Sequence, residues 1–150
     1  LAAARPEAFR PNLASSLNNL ANFLSALGRR EEALQQAQEA VKIRRELAAA
    51  RPEAFRPNLA SSLNNLANFL SELGRREEAL QQAQEAVALL GPYFQQNPLG
   101  FSTWMATMIR TYHSLCETTD RTPDMALLTP LLDIFQKLQA TDNSEHDGIH

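Results

Sequence analysis

Leu13–Val41 reads LASSLNNLANFLSALGRREEALQQAQEAV, and Leu59–Val87 reads the same except that Glu72 stands where the first copy has Ala26. The identity reaches back to Leu1 and Leu47, so the period is 46 residues. A fixed period of this size marks a stack of supersecondary units. Within one unit, Leu13, Leu17, Leu20, Ala21, Leu24 and Leu27 recur at spacings of three and four, which makes one apolar stripe on a helix. Pro11 suits the first turn of that helix, and Gly28 suits the position just past its end. A second helix buries Ala33, Leu34, Ala37, Ala40, Val41 and Leu47 and runs to about Ala50, where Arg51-Pro52 stops it. One such pair cannot cover its own stripe, so neighbours must stack. Leu20 and Leu66 are both expected in the core, each worth about 2–5 kcal/mol against Ala.

A worn third copy follows. A further shift of 46 puts Pro98 on Pro52, Phe101 on Phe55, Met105 on Leu59, Ile109 on Leu63 and Tyr112 on Leu66. One extra residue near Pro123 restores the register, so that Ala126-Leu127 falls on Ala79-Leu80. Gly91-Pro92 is expected to kink or break the helix before this copy. Thr122-Pro123-Asp124 reads as a helix start with Thr122 as N-cap. Pro130 should kink or split that helix. The domain is therefore read as residues 1–140, in repeats 1–46, 47–92 and 93–140, the last an atypical cap. Residues 141–150 read as a polar, disordered tail, where His146 and His150 could at most hold a metal weakly.

Composition narrows the function. At 150 residues, 44% hydrophobic and rich in Leu, Ala, Glu, Gln and Arg, the chain suits an all-α domain. The net charge of −3 is uneven: seven basic and five acidic side chains in residues 1–46, four and five in 47–92, three and seven in 93–150. No segment carries the dense positive field that nucleic acid requires. Lys42, Arg44 and Arg45 read as a solvated helix face. A single cysteine, Cys116, excludes an internal disulfide and fits a reducing, cytoplasmic setting. No run approaches a membrane span, and no signal peptide is visible at the start. The chain opens mid-pattern without Met, as a piece of something longer would.

The run Leu17-Asn18-Asn19-Leu20-Ala21-Asn22, with Leu24, Gly28, Ala33, Ala40 and Val41, resembles the tetratricopeptide repeat, and Leu63–Asn68, Leu70, Gly74, Ala79, Ala86 and Val87 carry the same resemblance. It is similar to the long-repeat variant of kinesin light chains and to near-identical bacterial arrays, often parts of large signalling or defence proteins. The resemblance implies a right-handed α-solenoid of antiparallel helix pairs that binds protein. The usual repeat has about 34 residues, so longer helices or linkers are expected here.

The same resemblance implies a concave groove lined by the first helix of each repeat. Asn18, Asn22, Asn64 and Asn68, with Ser15, Ser25, Ser61 and Ser71, would line it, and each amide can donate and accept at once to an extended peptide or partner helix. Asn19 and Asn65 read as structural. Glu72 at the rim and Arg110 in the third copy would add selectivity; Trp104 and Met108 read as core. Arg29, Arg30, Arg75 and Arg76 read as solvated charge opposite neighbouring Glu. A competing reading makes the array a spacer, or a scaffold that stacks head to tail because its repeats share their end faces. An enzyme is not expected: no paired carboxylates, phosphate-binding loop or metal-spaced Cys/His cluster occurs, and no cofactor is implied. His113 and Cys116, three apart, are the nearest approach to a base and nucleophile.

Overall fold

A computed structural model describes residues 6–148, with side chains from 9 to 145; Leu1–Arg5 of the first repeat and Ile149 and His150 of the polar tail lie outside the described residues. Six helices follow one another: α1 (Pro6–Ala26), α2 (Arg30–Ala50), α3 (Pro52–Glu72), α4 (Arg76–Gln96), α5 (Pro98–Thr118) and α6 (Met125–Asp147). No strand occurs among the described residues. Helices α1–α5 each have 21 residues. Two such helices, a three-residue turn and one linking residue, Arg51 or Asn97, account for the whole 46-residue period. The long repeat is thus made by longer helices and not by longer loops.

Each tight turn is set by a backbone motif. Gly28 and Gly74 have φ of 80° and 79°, in the left-handed region that costs glycine least. Gly28 N–H donates to Ser25 C=O at 2.9 Å and Arg29 N–H to Leu24 C=O at 2.9 Å; Gly74 and Arg75 repeat this with Ser71 and Leu70. These paired bonds close the orphan carbonyls of a helix end. In the third copy Asp120 takes the same place with φ 55°, and Arg121 N–H reaches Cys116 C=O at 2.8 Å.

Consecutive helices from α1 to α5 pack side by side, and α3 also touches α1 and α5. The first helices α1, α3 and α5 therefore form a row in mutual contact, while α2 and α4 stand further apart. The α1–α3–α5 row thus forms one side of the stack, taken here as the inner side, and α2 and α4 form the other. Alanines Ala21, Ala33, Ala37, Ala60, Ala67, Ala79, Ala83 and Ala86 are fully buried and let the backbones approach closely. Around them pack Leu63, Leu66, Leu70, Val87, Leu90 and Phe94.

The third pair departs from the first two. Helix α6 meets α5 at few points and also lies beside α4, where Phe135 stacks on Phe94 at 4.8 Å and Leu131 fills the space next to Gly91. Where α4 has Ala83 and Ala86, the register puts Pro130 and Asp133 in α6. Neither can enter a close helix–helix seam, which accounts for the looser packing.

Several helix boundaries differ from those expected. Pro11 lies inside α1, and its counterpart Pro57 inside α3, because the helices start at Pro6 and Pro52, more than a turn earlier. Gly91-Pro92 does not end α4, which continues to Gln96. Pro92 is exposed, so water can serve the carbonyl its missing N–H leaves free. The N-cap of α6 is Asp124, not Thr122: its Oδ1 accepts from Leu127 N–H at 3.3 Å, and its own N–H donates to Tyr112 Oη at 2.9 Å. Pro130 does not split α6, which runs on to Asp147 through the segment expected to be disordered. There the hydroxyls of Thr141 and Ser144 donate to carbonyls of the preceding turn, and side chains 139–145 are exposed.

Candidate functional site

The inner row of helices carries three small clefts. Between α1 and α3 lies one of about 420 Å³ that gathers Asn22, Ser25, Asn65, Asn68, Ser71 and Glu72. Between α3 and α5 a second, of about 250 Å³, brings Asn68 and Ser71 to Arg110, Thr111 and Ser114. A third, of about 140 Å³, sits further along the same seam, with Ser61, Asn64 and Asn65 facing Thr103, Trp104 and Thr107. Asn68 and Ser71 belong to two of these clefts and Asn65 to two, so the inner side is a continuous polar surface. It arises because Asn22, Asn68 and Ser114 sit at the same register of successive first helices, offset from the buried leucines, with Arg110 one turn before Ser114.

Of the residues read as groove-lining, Asn22, Asn68, Ser25, Ser71, Ser61, Glu72 and Arg110 do lie on this surface. Glu72 is not a free rim charge: its carboxylate accepts from Ser25 Oγ at 2.9 Å and so joins α3 to α1. Asn18 and Asn64 are different. Both are buried, and the Oδ1 atom of each is buried without a hydrogen-bond partner among the described residues. An oxygen with no accessible surface cannot receive a ligand. Asn18 instead donates from Nδ2 to Ser62 Oγ at 3.0 Å, linking α1 to α3. One step along the helix is about 100°, enough to turn Asn18 and Asn64 into the seam and leave Asn19 exposed and Asn65 on the groove. Asn65, read as structural, thus lines two of the clefts, while Asn64 lines one of them with its Oδ1 buried.

Ser15 is also engaged, accepting from Arg44 Nη2 at 3.1 Å. Arg44 itself is a correction to the basic stretch read as solvated. It is half-buried, and its Nη1 donates to Ser62 Oγ at 2.7 Å and to Asn58 C=O at 3.2 Å. Burial draws its pKa down from the ordinary arginine value. It ties α2 to both first helices it packs against. Arg45 stays on the outside, where a two-pronged pair with Glu85 at 2.9 and 3.0 Å bridges α2 to α4 and raises its pKa. Beneath that bridge, on the face opposite the groove, lies an open cleft of about 550 Å³ floored by Val41 and Leu66. Its walls come from second helices, so reading the first helices alone misses it.

Arg29 and Arg75 each grip a Glu three residues on, Glu32 and Glu78, through two nitrogens. That partner holds the Glu78 carboxyl below its usual range. In the third copy Met108 is buried as expected, whereas Trp104 is exposed by 41% and packs edge-on against Phe101. The Cys116 thiol is buried, and burial raises its pKa, which leaves less thiolate than a free cysteine would offer. His113 is exposed and faces Glu117 at 3.7 Å. The two do not form a base and nucleophile.

A tetratricopeptide repeat family model matches residues 13–50 and 59–90, the two near-identical copies, across the helices just described. These two repeats belong to the tetratricopeptide repeat family, and the six-helix array is consistent with it. Repeats of this family mediate protein–protein interaction and are not themselves enzymes. No curated protein matches the chain in sequence. No helix among the described residues is long and apolar enough to cross a membrane.

Proposed function

We propose that the concave side of this tetratricopeptide array binds an extended peptide or a partner helix, with Asn22, Asn65 and Asn68 holding its main chain. The gathering of these three amides with Ser25, Ser71 and Glu72 in one open cleft supports the reading. Each carboxamide can donate and accept together, which matches a peptide unit. Main-chain pairing of this kind tolerates many side chains. Selectivity then falls to the charged residues at its edges: Arg110 beside Asn68 suits an acidic side chain, and Glu72 disfavours one at the other end. Asn18, bonded to Ser62 across the α1–α3 seam, holds the wall in place and does not touch the ligand.

Affinity selection from a peptide library tests this, run on the parent chain and on Asn22→Ala/Asn68→Ala in parallel. Both positions are exposed, so the variant keeps its fold. Peptides enriched by the parent and lost by the variant are expected. Equal enrichment by a folded variant overturns the assignment.

A further inference from the structure

The two gaps between successive second helices are built on matching positions but close differently. Between α4 and α6 the small residues Ala88 and Gly91 let α6 approach. Leu131 stands 3.6 Å from where a Cβ on Gly91 would lie, and Phe135 stacks on Phe94 at 4.8 Å. One aliphatic and one aromatic side chain thus fill that gap. Between α2 and α4 the counterparts of Ala88 and Gly91 are Lys42 and Arg45. These long side chains stand between the helices, α2 and α4 stay apart, and the cleft of about 550 Å³ remains open between them. Val41 and Leu66 make its floor apolar, and Ala49 ends its α2 wall. A mostly apolar cleft of this size, with a few polar groups at its edge, suits a small ligand.

Three charged side chains line the cleft, and two of them are paired. Arg45 donates to both oxygens of Glu85, at 2.9 and 3.0 Å, and Glu46 accepts from Arg10. Lys42 is exposed and has no ion-pair partner among the described residues. Its ammonium therefore favours an anion, while its methylene stem extends the apolar wall. Gln38, one turn earlier on α2, and Gln82 on α4 also line the cleft and can donate amide N–H bonds.

We propose that this cleft is a second binding site, on the side away from the peptide groove, for a small amphipathic carboxylate. An aliphatic chain lies on Val41 and Leu66, much as Leu131 and Phe135 fill the gap between α4 and α6, and its carboxylate meets Lys42. The site is particular to the first gap, since the second has Ala88 in place of Lys42 and is filled by α6. A helix of a partner protein fits less well, because the Arg45–Glu85 bridge crosses the gap and would have to open to admit it.

The test titrates decanoate into the isotope-labelled full chain, with decan-1-ol as an uncharged chain of the same length. Nuclear Overhauser contacts from the decanoate methylenes to the methyls of Val41 and Leu66 are expected. Lys42→Met keeps the stem and removes the charge, so it should weaken decanoate roughly fivefold and leave decanol unchanged. Ala49→Trp fills the end of the cleft and should abolish binding of both. The two positions are exposed, so the variants keep their helices, which circular dichroism verifies. The proposal is overturned if decanoate does not bind, or if either variant holds it as tightly as the parent. Contacts found only to Leu13 and Phe23, on the exposed stripe of α1, overturn it too, since they would mark adsorption to any apolar surface.

Discussion

Leu20 and Leu66 hold the same place in the repeat, yet one is 43% exposed and the other 6%. Truncating Leu66 to Ala empties a packed site between α2 and α3 and should cost about 2–5 kcal/mol. Truncating Leu20 removes a side chain already half in water, so Leu20→Ala should cost less than about 1 kcal/mol. Urea unfolding of both variants checks this, and similar costs would mean that α1 is covered in solution. The spacing of leucines on this stripe is plain in the sequence. Which copy meets water is not, because periodicity records a face and not what stands opposite it. The same limit explains Asn18 and Asn65. Both belong to a polar run, and only the angle at which α1 meets α3 sends Asn18 to Ser62 and leaves Asn65 on the groove. Arg44 was hidden for a related reason: its acceptors, Ser62 and Asn58, lie 18 and 14 residues away on the next helix.

At the scale of elements, the turns between paired helices were the most legible feature, since Gly28 and Gly74 each end a leucine stripe. The third such turn carries no glycine. Asp120 takes its place at φ 55° and completes the same hydrogen bonds through Arg121. An Asp tolerates this conformation better than most residues but less well than Gly. Asp120→Gly should therefore raise stability by up to about 1 kcal/mol, whereas Gly74→Ala, which forces a Cβ into the left-handed region, should lower it by a similar amount. A Cβ on Gly74 would meet nothing within 4 Å, so the cost there is that of the backbone conformation itself. Thermal unfolding of the two variants reads the opposite signs, and a destabilised Asp120→Gly would show that the carboxylate itself holds the turn. Helix starts were less legible. Pro52 and Pro57 both qualify as first-turn prolines, and only the link at Arg51, one residue long, decides for Pro52. Likewise Pro130 and Pro92 read as breaks, but each sits where its helix is exposed and the lost hydrogen bond can be met by water.

For the whole molecule, stability runs along the stack, since each helix packs mainly on its sequence neighbours. Helices α2, α3 and α4 each pack between two neighbours, and α3 and α4 lie furthest from the ends of the stack. Among the described residues nothing packs on the outer face of α1, and α6 is held loosely, chiefly by Leu128, Leu131 and Phe135 against the end of the core. Opening from the ends exposes less apolar surface than opening the middle, so local unfolding should begin there. Amide hydrogen exchange tests this with an unusual internal control. Residues 6–25 and 52–71 have the same sequence, so their intrinsic exchange rates match and any difference reports their surroundings. Slowest exchange is expected in α3 and α4, faster exchange in α2 and α5, and the fastest in α1 and in α6 beyond Leu138. If α1 instead exchanges as slowly as α3, its apolar face is covered in solution, and the chain is not the monomeric stack these contacts describe.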